Sequence, residues 1–341
     1  MSTADPRRHR RRWTLSALIV TLIISFVGAI ALGSVRLSFP VVLSALLGGE
    51  APGISHEIVR SIRLPRALLA ASVGAVLAVC GAYLQGMFRN PLADPSLIGV
   101  TAGASVGASA AILIGGGTLI GGLSLVSLGA CIGGLMAVWL VYRVATGLQG
   151  TSVATMLLMG IAVSALAASA TGLMDYFADN ESLRRMSLWR MGGLDGANSA
   201  RAGLMLSVLA IMLLAMTRTS KALNTMLLGE SQARHLGVNV ERLKNQLIIW
   251  VALGVGVSVA VAGSIAFVGL VVPHMVRLCV GPDHRTLVPL SALGGASLLL
   301  VADTLARILL SPTELPVGLV TALIGAPFFV FLLIRHRELI R

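Results

Sequence analysis

The first pattern able to do covalent chemistry is Gly103-Ala104-Ser105-Val106-Gly107, a G-x-S-x-G run of the kind that presents a serine nucleophile. That chemistry needs a strand-to-helix turn under the serine, with a histidine and an acid beside it. Here the serine lies inside an apolar stretch, and Gly99, Gly103 and Gly107 recur every four residues. Glycines at that spacing share one helix face and let a second helix approach closely, so packing explains the run better than catalysis. Metal and redox chemistry find no better support. No H-E-x-x-H occurs among the 6 histidines, and Cys80, Cys131 and Cys279 lie far apart in apolar runs without CxxC spacing, which reads as small buried hydrophobes. His274, beside Pro273, reads as a residue that caps or orients a helix end. A phosphate-cradling G-x-x-x-x-G-K-S/T loop is missing, since neither lysine, Lys221 or Lys244, follows a glycine. The chain is therefore expected to be no enzyme, to hydrolyse no ATP itself, and to bind no cofactor or metal.

The elements that position these residues must do so in lipid. With 56% hydrophobic and 12% charged residues, and a mean hydropathy of +0.90, the chain cannot form an apolar core inside a polar shell. From Pro95 to Tyr142 there is no Asp, Glu, Lys, Arg or His. A crossing takes about 20 residues, so this run holds two helices with a turn at Gly115-Gly116-Gly117. Charge-free windows near 14–33, 67–88, 96–113, 119–142, 152–173, 202–216, 247–263, 265–280, 289–306 and 317–334 predict ten transmembrane helices in one all-α permease domain over 1–341. Between Leu247 and Val280, Gly254, Gly256, Gly263 and Gly269 leave two readings open: two crossings or one broken helix. Residues 14–33 exceed the roughly 7–15 apolar residues of a secretory leader, so they read as a first span.

A net charge of +12 would point to nucleic acid in a soluble protein, but the cations sit in loops between apolar runs, so topology explains them and no nucleic-acid partner is expected. Alternating loops place seventeen Lys and Arg on the side of the N-terminus, including the basic tail 1–12, and nine on the other, which puts both termini in the cytoplasm. Three connections are too long or charged for turns: 34–63 and 174–201 outside, and 217–246 inside. In the inner one, glycines separate short helical pieces and Asn239 is placed to cap the next helix. It reads equally as a docking element or as an amphipathic connector on the membrane surface. The outer arginines Arg63, Arg66 and Arg307 either snorkel at the interface or receive acidic side chains of an external partner. Asp303 and Arg307, four residues apart, can pair. A second outer cluster, Arg184, Arg185, Trp189 and Arg190 after Tyr176 and Phe177, suits either an interfacial anchor or a planar anion arriving from outside. No span centre carries a carboxylate or cation of the sort that ion-coupled carriers use, so the energy for transport falls to a partner.

Several segments together have a family likeness: Ile62-Arg63-Leu64-Pro65-Arg66, Gly81-Ala82-Tyr83-Leu84-Gln85-Gly86, Arg89 to Pro95, Leu97-Ile98-Gly99-Val100, Gly229-Glu230, Leu236-Gly237-Val238, Phe267 to His274 with Arg277, Asp283-His284-Arg285 and Glu314-Leu315-Pro316-Val317-Gly318. In order and over nearly the whole chain they resemble the FecCD-type permeases, the membrane subunits of ABC importers for iron-siderophores, haem and cobalamin. The resemblance implies a type II importer fold with ten transmembrane helices in the bacterial inner membrane. It also implies a dimer, homomeric or of two closely related chains, around a central pathway. Two cytoplasmic ATPase subunits that use ATP and magnesium, and a periplasmic binding protein, would complete the assembly. By the same resemblance, 219–238 would couple to the ATPase through Leu228, Gly229, Glu230, Ala233, Leu236 and Gly237. Arg63, Arg66 and Arg307 would receive the binding protein, and Tyr176, Arg184, Arg185 and Trp189 would meet the substrate. The 173–189 segment looks closest to haem-type members, which places haem ahead of ferric siderophores and cobalamin third. Gly192-Gly193-Leu194 departs from the Gly-Ser-Leu of many relatives.

Replacing Ser105 with alanine separates the two readings of the glycine-flanked serine. Unchanged activity with only a modest stability change is expected, and loss of activity would restore the hydrolase reading.

Overall fold

Hydrocarbon offers backbone groups no hydrogen-bonding partner, so the apolar windows must close their own hydrogen bonds as helices. A computed structural model describes residues 6–33, 37–47, 54–115, 119–120, 123–148 and 150–339. Residues 1–5 of the basic tail, Arg36, Gly116 and Gly117 of the expected turn, and Arg341 lie outside these. The helices are α1 (Pro6–Ala31), α2 (Phe39–Leu47), α3 (Ser55–Glu57), α4 (Leu64–Met87), α5 (Val100–Leu113), α6 (Leu125–Ala145), α7 (Val153–Phe177), α8 (Asn180–Met191), α9 (Ser199–Met226), α10 (Glu230–His235), α11 (Val240–Ala262), α12 (Val268–Val280), α13 (His284–Ile308) and α14 (Val317–Leu339). Wide π-type turns over Ile58–Arg63 join α3 to α4, and a 3₁₀ turn over Pro95–Ile98 leads into α5. Two antiparallel hairpins of two-residue strands complete the described structure: β1 (Leu119–Ile120) with β2 (Leu123–Ser124), and β3 (Thr146–Gly147) with β4 (Gly150–Thr151).

Seven stretches are long and apolar enough to cross a membrane: His9–Ala31, Ser55–Met87, Leu125–Ala145, Val153–Phe177, Ser199–Met226, Val240–Ala262 and His284–Ile308. Three shorter apolar helices lie over Val100–Leu113, Val268–Val280 and Val317–Phe331. Each of the ten expected windows falls on one of these. The ambiguous region 247–280 resolves into a full-length α11 and a short α12, parted where Gly263 and Phe267 take left-handed φ of 67° and 68°. At 13 residues, α12 is about 20 Å long, against a hydrocarbon core of about 30 Å. His274 falls at the buried midpoint of α12, so it does not cap a terminus as its sequence neighbours indicated. Among the described residues the three long connections are mostly helical, with α2, α3 and the π-type turns in the first, α8 in the second, and α10 with extensions of α9 and α11 in the third.

The centre of the bundle is α4, whose spanning window is 89% buried against 17% for α1 and α9. It packs against α9, α11, α12 and α13. Close approach is achieved by paired glycines: a Cβ at Gly74 would collide with the Gly295 carbonyl, and one at Gly81 with that of Gly269. The α5–α6 seam works the same way, with Gly103 against Gly133 and Gly107 against Gly129. Gly99, counted with that stripe in the sequence, instead starts α5 with φ 78°. Ser105 Oγ donates to the Thr101 carbonyl at 3.0 Å, within its own helix. The cysteines differ from the uniform burial expected: Cys80 is buried, Cys131 half-buried and Cys279 exposed.

Gly81→Ala is expected to cost about 1–3 kcal/mol through overpacking, seen as a lower thermal midpoint in detergent. Gly28→Ala, where nothing lies within 4 Å of the added Cβ, should be neutral or stabilising by up to about 1 kcal/mol. Equal effects would discount the close approach.

Candidate functional site

The candidate functional residues gather at the two ends of the bundle. At one end, Asp303 is fully buried and accepts from Arg66 Nε at 2.9 Å and from Arg307 Nε at 3.1 Å. Arg66 also reaches Glu314 at 2.8 Å. Arg307 donates to the carbonyls of Leu32 at 3.0 Å and Ala29 at 2.9 Å, and Arg63 to those of Ile30 at 2.7 Å and Ala31 at 2.9 Å. These are the last carbonyls of α1, which a helix end leaves without intrahelical partners. The π-type turns before α4 end at Arg63 and help aim it there. The three arginines are therefore not open guanidiniums on an outer loop, as their sequence positions indicated: Arg63, Arg66 and Arg307 are 5%, 9% and 6% exposed. Glu314, whose side chain is 41% exposed, is the network's face to solvent. The i,i+4 pair Asp303–Arg307 is visible in sequence, but the link from Arg66 to Asp303 spans 237 positions and is not.

A separate cavity of about 370 Å³ is bounded by the ends of α5, α6, α8, α9 and α11. Arg185, Trp189, Asp195, Arg201, Ser124 and Ser127 supply its polar lining. Of the four residues expected to meet substrate, the cavity unites Arg185 and Trp189, while Tyr176 and Arg184 are exposed elsewhere. Arg190, from the same sequence cluster, is engaged by Asp175 at 2.8 Å, and Tyr176 stacks edge-on against Phe177. Arg201 escaped sequence reasoning because it stands at the first turn of α9, remote from the 184–190 cluster. Its Nε is buried without a hydrogen-bond partner, while its Nη1 donates to the Val261 carbonyl at 3.5 Å.

At the opposite end, Gly229 (φ 109°) and Gly237 (φ 83°) bracket α10. Asn239 caps α11 by accepting from the Arg242 N–H at 2.9 Å. Leu228 and Leu236 are 66% and 61% exposed, whereas Ala233 is fully buried and pins α10 to the bundle. Glu230 faces Lys244 at 2.8 Å. The Arg89–Pro95 turn approaches this segment through the Arg89 guanidinium near Gly229. Asp283 caps α13, accepts from Asn224 Nδ2 at 2.7 Å and pairs with Arg11 at 3.3 Å. Burial alone would raise the Asp283 carboxyl, but Asn224, the Arg285 N–H and Arg11 together hold it below the usual range. This end therefore joins the starts of α1 and α13 to the end of α9. Among the described residues no group of three His, Cys, Asp or Glu side chains could hold a metal.

The profile of the FecCD transport family matches residues 20–335. The hemin transport system permease protein HmuU of Yersinia pestis is 41% identical over 333 residues, covering 97% of this chain and 98% of that protein. The cobalamin import system permease protein BtuC of Halobacterium salinarum is 46% identical over 287 residues, 84% of this chain and 76% of that protein. Among solved structures, an inward-facing metal-chelate type ABC transporter superposes with a TM-score of 0.81 at 33% identity, over 94% of this chain and 98% of that one.

Breaking a buried ion pair from one side leaves an uncompensated charge, so Asp303→Asn is expected to lower stability by about 3–5 kcal/mol in denaturation of the purified protein. Asp175→Asn, at the half-exposed pair with Arg190, should cost no more than about 1 kcal/mol. Similar losses would mean that Asp303 is no keystone.

Proposed function

The chain belongs to the FecCD transport family, and from that premise we propose that it pairs with a second copy of itself to pass an anionic metal chelate inward, haem before ferric siderophores. At the coarser level the assignment is plain. This is a multi-pass inner-membrane permease subunit of an ABC importer for haem, cobalamin or an iron chelate. It lacks an ATPase motif of its own, and a separate subunit hydrolyses ATP. An ion-coupled carrier is thereby set aside.

The observation that carries the finer reading is the cavity that holds Arg185 and Arg201 beside the Trp189 indole. Guanidiniums bind carboxylates with two parallel hydrogen bonds, and an indole face suits a flat conjugated ring. A ring bearing two carboxylates, as haem does, combines both demands. Cobalamin is the second reading, favoured by the 46% identity to the Halobacterium protein.

In this assembly both termini lie in the cytoplasm, and the exposed Leu228 and Leu236 around α10 receive one of two ATPase subunits, where ATP and magnesium act. Gly229, Glu230, Ala233 and Gly237 set the shape and anchorage of that contact. A periplasmic binding protein docks at the Arg63, Arg66 and Arg307 end. Because these guanidiniums are already engaged, an incoming carboxylate would exchange with the exposed Glu314 for Arg66. Nucleotide and loaded binding protein then favour different conformations, and the pathway opens alternately by population shift.

The test is uptake and ATPase activity in liposomes holding the permease with its ATPase, with binding protein preloaded with haem, a ferric siderophore or cobalamin. Stimulation by haem, weakened together by Arg185→Ala and Arg201→Ala, is expected. A response to cobalamin alone would replace haem, and failure to assemble with any ATPase would refute the importer assembly.

A further inference from the structure

Four charged side chains converge beneath α7: Glu230 and Arg234 of α10, and Glu241 and Lys244 of α11. Lys244 is 2% exposed, although a lysine is rarely buried without a dedicated set of acceptors. Its ammonium donates to Glu230 at 2.8 Å and to the Thr151 carbonyl at 2.9 Å, with Glu241 at 3.7 Å. Glu241 in turn accepts the Thr151 N–H at 2.8 Å. Both backbone polar groups of Thr151 are thus held by side chains of α11. Gly150, at φ 99°, leaves room for the Glu241 carboxylate, which an added Cβ would strike at 2.5 Å. A hairpin of two-residue strands is marginal on its own, so these side chains fix where β4 sits. Tyr142 adds a neighbouring tie, donating to Asn245 at 2.7 Å.

Thr151 immediately precedes Ser152, the N-cap of α7. That helix runs 25 residues, about 38 Å, and its spanning window is only 22% buried. It ends at Phe177, two residues before α8, which carries Arg185 and Trp189 of the cavity at the other end. A long helix whose chain is gripped at Thr151, just ahead of its N-cap, can carry a displacement across the bilayer.

We infer that Lys244 is a positioning residue: it latches α10 to the β3–β4 turn, so that movement of α10 reaches α7 and, through it, the α8 wall of the cavity. This rests on the importer reading, in which α10 meets the ATPase. Arg234 also faces Glu230 and Glu241, at 3.9 and 3.5 Å, but it is exposed, and such pairs contribute little. The two acceptors that matter meet at the buried ammonium.

The test uses the complete complex in liposomes and reads substrate taken up per ATP hydrolysed. Lys244→Met should lower that ratio about tenfold, and Lys244→Arg should recover most of it, because a guanidinium still reaches two acceptors. Glu230→Gln, which keeps the shape and removes one charge, should lower the ratio in the same direction. A purely structural lysine would instead lower uptake and hydrolysis together, leaving the ratio unchanged, and that result overturns the latch. Spin labels at Leu148→Cys and Gln232→Cys, both exposed sites, in a chain with Cys131→Ser and Cys279→Ser, give a reading free of transport. One narrow distance that broadens in Lys244→Met supports the latch, and an unchanged distance refutes it. Should the native complex show no ATP-driven uptake, the importer reading fails, and the label pair still decides whether Lys244 ties the two segments.

Discussion

Hydrocarbon supplies no hydrogen bonds, and nearly every polar choice in this chain follows from that. Several polar groups within the bundle find partners inside the chain. Gln85 donates to the Leu270 carbonyl at 3.1 Å, where the short α12 begins. Tyr83 donates to the Met212 carbonyl at 3.3 Å. At one end Asp303 gathers Arg66 and Arg307, and the arginines close off the last carbonyls of α1. At the other, Asp283 ties α13 to Asn224 and Arg11. Charges that a soluble protein would leave to water here join helices distant in sequence.

Between these two ends the bundle has no hydrophobic drive to compact, because lipid tails are as apolar as its side chains. Backbones approach closely instead. Glycine pairs between α4 and α13, α4 and α12, and α5 and α6 bring carbonyls where a Cβ would not fit. Such seams fix the register of neighbouring helices, and α4, buried on nearly all sides, is the common reference. The lightly buried α7 shares in this, with Gly160 against the Leu97 carbonyl, and the chain just ahead of it is also held by side chains, Glu241 and Lys244 on Thr151.

The two ends differ in chemistry. One shows exposed leucines on a short glycine-bracketed helix. The opposite end holds guanidiniums at two levels: engaged ones around Asp303, and those of Arg185 and Arg201 facing a cavity. One helix, α7, links them in the chain: it starts two residues after Thr151, which Lys244 and Glu241 hold, and leads into α8, which carries Arg185 and Trp189 of the cavity.

Sequence alone determined the solvent, the number of apolar helices and the family. Hydropathy, charge-free length and local motifs are properties of short segments, and lipid enforces them one helix at a time. Asn239 as a cap and Asp303–Arg307 as a pair were legible for the same reason, being contacts within one helical turn. Only the tertiary structure decided that Arg63, Arg66 and Arg307 turn inward, that α12 is a short helix with His274 at its buried midpoint, and that Arg201 joins Arg185 and Trp189. Lys244 likewise gained its meaning only when Thr151, 93 positions away, was brought to it. Those facts depend on which helices meet, and that is set by glycine seams and buried charges whose partners lie tens to hundreds of residues apart, beyond the reach of any local pattern.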